Sequence, residues 1–285
     1  MTTIMRITLK ETVRRRVLLV TLLLTAGFLG LYGFGVQFAV QAVSEAGGAG
    51  GRISGSADFL ADLIPFEFFT LALFFGTFIL GFLAMMSAVG CISLEVEDGI
   101  MHAVAPRPIR RSSIVLGKFL GYALMLAVFS AAFYIAIFLT TVAATGKPLR
   151  LSMSVLGLYV LHPMILLALA TFGSTFLSTI ANAVAVFMLY ALSIMGGTLE
   201  QFGYILRNQV LINTGIVSSL LMPADSLYRK MVHLMLPGAG AGLSSSFLGP
   251  FGSSGEPSVW MLLYAALYVI AFLALAVRTF SRRDI

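Results

Sequence analysis

The sequence predicts an all-α membrane protein whose chain crosses the bilayer six times. Three observations carry this expectation. Mean hydropathy is +0.99 over 285 residues with only 11% charged side chains, whereas soluble domains carry roughly 25%. Several apolar runs continue without a charge for about 20 residues, which crosses a hydrocarbon layer of about 30 Å at 1.5 Å per residue. Strict apolar/polar alternation is absent, which excludes a barrel and leaves helices, whose amides are satisfied within the segment.

The first 16 residues place Ile4, Ile7 and Thr8 against Glu11, Arg14 and Arg15 on other faces. This pattern reads either as an amphipathic helix lying in the inner leaflet or as a plain basic flank. Arg14-Arg15-Arg16 ahead of Val17-Leu18-Leu19-Val20 has the look of a signal peptide. The apolar run continues to Val36, however, beyond the 7–15 residues usual in such peptides, and no clear small-residue cleavage site follows. It is therefore read as a retained first span near 17–38, followed by spans near 63–93, 114–143, 153–178, 181–199 and 259–279 of a single domain over 1–285. The second and third exceed the minimum length, so they tilt or project from the bilayer. A tight turn around Ser178, Thr179, Ala181 and Asn182 joins the fourth and fifth. His162-Pro163 interrupts the fourth span, where the proline removes a backbone donor and kinks the helix; His162 beside it is read as interfacial rather than as a proton relay.

Residues 44–58, with Gly47-Gly48-Ala49-Gly50-Gly51, form a flexible external linker. The external segment 200–257 differs. Leu206–Leu221 and Met222–Leu236 are too polar to span easily and too apolar for solvent. Pro223 suits a first helical turn, and Asp225 with Arg229 makes an i,i+4 pair. Short re-entrant helices that dip into the outer leaflet are expected, and a Gly/Ser/Pro-rich stretch, 237–257, leads back to the last span.

Orientation follows from charge. With the N-terminus inside, the cytoplasmic segments hold 12 basic and 5 acidic residues and the external segments 6 and 7, which together give the net +6. The asymmetry puts both termini in the cytoplasm. It also accounts for the basic balance without nucleic acid as a partner. Trp260 and Tyr264 then mark the outer entrance of the last span. Cys91 is the single cysteine, so no intramolecular disulfide forms, and its place at the end of an apolar run suits a buried, inert thiol.

Several chemistries lack their residues. Gly117-Lys118 is followed by Phe119 and has no upstream glycine of a phosphate-binding loop, so no nucleotide site is expected on this chain. There is no His-Glu-x-x-His zinc motif, no Gly-x-Ser-x-Gly elbow and no metal-spaced Cys/His set. Ser174 has no nearby base, which argues against an intramembrane serine protease. Glu67, after Pro65 near the outer end of the second span, is the one acid candidate for an ion-coupled carrier and is read as interfacial. Catalytic, cofactor-binding and metal residues are accordingly expected to be none, and an integral-membrane enzyme is disfavoured.

One polar island remains, running from Leu94-Glu95-Val96-Glu97-Asp98-Gly99 through Met101-His102 and Pro106-Arg107-Pro108 to Arg110-Arg111. The long second span ending in Glu95-x-Glu97-Asp98-Gly99, the short apolar stretch to Pro106, then Arg110 and Gly117-Lys118, resembles the type-2 ATP-binding-cassette permease family. The resemblance extends to the basic N-terminus, the Met222-Pro223-Ala224-Asp225-Ser226-Leu227-Tyr228-Arg229 run and the terminal Phe280-Ser281-Arg282-Arg283-Asp284-Ile285. One departure is that Ile100-Met101 stand where the family commonly has a Thr-Leu-like pair.

The resemblance implies a six-span permease in a bacterial or archaeal inner membrane. A separate ATP-binding-cassette subunit would carry ATP and magnesium, and a second permease copy and membrane lipid would be the other partners. Residues 95–111 would form the cytoplasmic coupling helix. Its apolar face would be Ile100, Met101 and Val104, with Glu95, Glu97, Asp98 and Gly99 at its start and Pro106, Arg107, Arg110, Arg111 and Lys118 following. Acidic side chains suit the positive end of such a helix, and the prolines end it and stiffen the return. The Ser178–Asn182 turn would be a second, smaller contact. The implied function is to couple ATP hydrolysis to substrate movement, mostly export. The alternative is an ATPase-driven mechanical relay or scaffold acting on an external partner without moving a solute.

Overall fold

Apolar runs in lipid satisfy their amides along their own axis, and the computed structural model is helical accordingly. It describes residues 2–14, 16–49, 54–99, 111–146, 151–235 and 258–282. Among these the helices are α1 (Thr2–Arg14), α2 (Arg16–Ala49), α3 (Ser54–Ala88), α4 (Ser93–Glu97), α5 (Arg111–Thr145), α6 (Met153–Gly173), α7 (Thr179–Leu206), α8 (Gln209–Leu221), α9 (Ala224–Met235) and α10 (Val259–Arg282), with no strand. Among the described residues six segments are long and apolar enough to cross a membrane, Arg16–Ala42, Pro65–Glu97, Arg111–Thr145, Met153–Gly173, Thr179–Leu206 and Val259–Arg282, and the bent pair Gln209–Leu221 and Ala224–Met235 would make a seventh if it were one span.

α3 and α6 form the centre, with most of their apolar stretch buried, whereas α2 and α10 leave most of theirs outward. α3 packs on α2, α5 and α6, and α6 also touches α9 and α10. Leu73, Leu80 and Leu83 of α3 and Ile165 and Leu166 of α6 are fully buried. Lipid tails are as apolar as leucine, so close packing and polar contacts, rather than the hydrophobic effect, hold such helices together. The Tyr32 and Thr141 hydroxyls, 2.6 Å apart, join α2 to α5. The Tyr190 hydroxyl donates to the Thr77 carbonyl at 3.2 Å and joins α7 to α3. Other hydroxyls donate back along their own helix, as Thr25 does to Thr21 at 2.7 Å and Ser130 to Leu126 at 2.7 Å. Phe28 stacks on Tyr32 and meets the edge of Phe133. Outside, Leu23, Leu31 and Phe34 of α2 and Ile180, Phe187 and Met195 of α7 are exposed, the apolar exterior a bilayer requires.

His162 departs from the expectation of an interfacial residue. α6 begins at Met153 and runs through Pro163 to Gly173, so His162 lies at mid-helix, 2% exposed, with its ring edge-on to Tyr190. The apolar turns upstream, Val155 to Tyr159, carry the helix past the proline.

α1 lies along α5 with Thr8 and Thr12 buried. Beyond α7, whose end is closed by Arg207 in the left-handed region at φ 52°, α8 and α9 meet at a bend of 110°. Asn208 caps α8 by accepting from the Val210 amide at 3.0 Å. The Ser193 hydroxyl of α7 donates to the Met222 carbonyl at 2.7 Å, pinning the bend to α7.

Candidate functional site

The central helix α3 ends at Ala88, and residues 89–92 form a tight turn before α4. α4 closes at Asp98, and Gly99 follows at φ 72°, a conformation that favours glycine and redirects the chain. Of the expected coupling residues, Glu95, Glu97, Asp98, Gly99, Arg111 and Lys118 are described. Ile100, Met101, Val104, Pro106, Arg107 and Arg110, and with them the short helix expected to reach Pro106, lie outside the described residues.

Glu95 and Glu97 both reach neighbouring elements. Glu95 Oε2 lies 2.5 Å from Lys118 Nζ of α5, and the same ammonium donates to the Cys91 carbonyl at 2.5 Å. Lys118 is 8% exposed, and these two contacts offset the burial of its side chain. Glu97 Oε1 accepts from the Thr179 amide at 2.8 Å and Oε2 from the Thr179 hydroxyl at 3.2 Å. Thr179 opens α7, where the first amides have no partner within the helix and the dipole favours an anion. Glu97 therefore caps α7 from 82 residues away in sequence. Ser178 caps it locally, accepting from the Ala181 amide at 3.4 Å.

More bonds reinforce this junction. The Ser93 and Thr179 hydroxyls are 2.8 Å apart. The fully buried Asn182 donates through Nδ2 to the Val89 carbonyl at 2.8 Å and the Ala170 carbonyl at 2.9 Å. Cys91, buried as expected of an inert thiol, has Sγ 3.1 Å from Ser174 Oγ. The end of α3, α4, the start of α5 and the Ser174–Ser178 turn are thus bonded together. Asp98 is exposed and Arg111 half-buried at its edge.

The sequence points to both the acidic cluster and the Ser178–Asn182 turn but not to their contact. Ser93 and Thr179 carry no local signal of it. Asn182 does, as an amide in an otherwise apolar run, because a buried amide needs partners on another element. Among the described residues no group of three His, Cys, Asp or Glu side chains is placed to hold a metal ion.

Six apolar helices among the described residues, each long enough to cross a membrane, mark a multi-pass membrane protein. The model of the family described as ABC-2 family transporter protein matches residues 2–285, and the chain belongs to that family. It is a membrane subunit of an ABC transporter, and the family implies an ATPase as partner. Compared with the curated proteins, the chain has no match.

Proposed function

We propose that the chain couples ATP hydrolysis on a separate ATPase subunit to outward movement of a substrate, working as a pair of identical copies with both termini in the cytoplasm. The ATPase holds ATP and magnesium, and this chain contributes no catalytic group. The observation that carries the reading is the junction of α3, α4, α5 and α7 through Glu97, Thr179, Asn182 and the Lys118–Glu95 pair. A push delivered to residues 93–111 reaches three spans at once because α4 is bonded to the ends of all three. In this reading Glu95 and Glu97 transmit load within the permease, while exposed Asp98 and the segment beyond Gly99 meet the ATPase.

The test uses Glu97→Lys, which puts a cation at the positive end of α7, alone and with Arg110→Glu. A charge-assisted hydrogen bond of this kind is worth about 1.5–3 kcal/mol, so ATPase stimulation in proteoliposomes is expected to fall by about tenfold or more. Membrane insertion is expected to be intact. With Arg110→Glu added, co-purification of the ATPase is expected to fail as well. Unchanged stimulation in both variants overturns the reading. ATP-dependent flux of a candidate substrate separates transport from a mechanical relay.

A further inference from the structure

At the end of the helix layer away from the Ser174–Ser178 turn, α7, the bent α8–α9 pair and the start of α10 enclose a cavity of about 430 Å3. That size falls within the range of small-molecule sites. Its charged wall is built on α9. Arg229, 4% exposed, donates from Nε to Asp225 Oδ2 at 2.8 Å and lies with Nη1 3.1 Å from Glu200 Oε2 of α7. Two carboxylates thus share one guanidinium, so with both ionised the trio holds one more negative charge than positive. Such a charge is costly unless a cation meets it. Asp225 is not among the cavity's lining residues, whereas Glu200 is, so the excess charge is presented to the cavity by Glu200.

Arg229 is poorly disposed to take an anion. Two of its nitrogens are engaged by the carboxylates, and Nη2, without a hydrogen-bond partner among the described residues, is buried against Gly197 of α7, 2.7 Å from where a Cβ would be. Ser219 also lines the cavity. Ser219 is 4% exposed, and its Oγ has no hydrogen-bond partner among the described residues. Tyr204, Trp260 and Tyr264 line the same cavity, and aromatic rings attract cations electrostatically. Leu220 and Met261 supply apolar wall.

We propose that this cavity binds an amphiphilic organic cation, its ammonium against Glu200 and Ser219 and its apolar body against Leu220, Met261 and the aromatic rings. The ammonium neutralises the trio and gives the Ser219 hydroxyl a donor. The same chemistry is offered by the primary amine of a lipid headgroup and by a free lipophilic amine.

Trp260 is the one tryptophan of the chain, so its emission reports on the cavity without labelling. Phenethylammonium titrated into the full-length protein in uncharged maltoside micelles is expected to change that emission saturably. Phenethyl alcohol and phenylacetate, close in shape, are expected not to do so. Glu200→Gln is expected to weaken apparent affinity about tenfold, as loss of a charged hydrogen-bond partner does. Tyr204→Leu, at the exposed rim and outside the ionic trio, is expected to weaken it about threefold. It decides the matter if Glu200→Gln does not fold.

Adding phosphatidylethanolamine distinguishes the two sources. Competition that raises the concentration of phenethylammonium required, and that disappears in Tyr204→Leu or Glu200→Gln, identifies the lipid amine as occupant. Unaltered affinity identifies the free amine. Equal binding of amine and alcohol, or unchanged affinity in both variants, overturns the proposal.

Discussion

A Cβ built on Gly197 of α7 would run into the Asp225 carboxylate and approach Arg229 Nη2. The buried ion pair of α9 therefore sits on bare backbone. Gly197→Ala is expected to dislodge α9 and lower stability by about 1–3 kcal/mol, the usual cost of overpacking. Gly157→Ala, on an exposed face of α6 with nothing within 4 Å of the new methyl, is expected to hold or gain about 0.5–1 kcal/mol. Thermal unfolding in detergent checks both, and equal shifts in the two variants would contradict the packing argument. At this scale the sequence discloses local pairs only. Asp225 and Arg229 are legible because they are one helical turn apart. Glu200, their third member, is not, because it comes from another helix. Glu97 reads from sequence as an acid at the start of a coupling helix, yet the fold gives it the orphan amide of Thr179. His162 illustrates the reverse error, since a proline beside it suggests a helix entrance that the upstream apolar turns remove.

Among the elements, α7 is tied to two neighbours by one polar side chain near its start. Asn182 holds the carbonyls of Val89 and Ala170, and thereby the end of α3 and the end of α6. Asn182→Ala leaves both without that donor, at about 1–3 kcal/mol for buried groups losing a partner. Hydrogen exchange is expected to accelerate together in residues 89–97 and 174–182 while the middle of α6 stays protected. Acceleration confined to 174–182 would show that the two segments are not one unit. The spans themselves are readable from length and hydropathy alone, since lipid leaves a long apolar run few options. The bend between α8 and α9 is readable from mixed polarity and Pro223, because neither half suits water or hydrocarbon fully. What joins the elements is not readable, as helix contacts in lipid rest on side chains scattered through the chain.

For the molecule as a whole, six spans would bring the chain back to the side from which it started, whereas a seventh, made of the bent α8–α9 pair, would not. The buried state of Cys91 makes the native chain a quiet background for thiol labelling. Cysteines introduced at exposed Thr3 of α1 and exposed Ser281 of α10 are expected to react with an impermeant maleimide only after cells are opened. One at exposed Asn208, between α7 and α8, is expected to react in intact cells. The opposite pattern would invert the orientation, and a split between Thr3 and Ser281 would refute six spans. The charge asymmetry makes this expected topology legible from the residues alone, because insertion reads arginine and lysine near span ends.

The seating of α1 on α5 bears on how the chain is made. α1 is made before α2 and α3, yet its main docking surface belongs to the later helix α5. Through the insertion of α2 and α3 the face with Thr8 and Thr12 stays uncovered, and it closes only when α5 arrives. α1 is thus seated later than its place in the sequence suggests. A nascent chain stalled before α5 would carry that bare face as a marker of incomplete assembly.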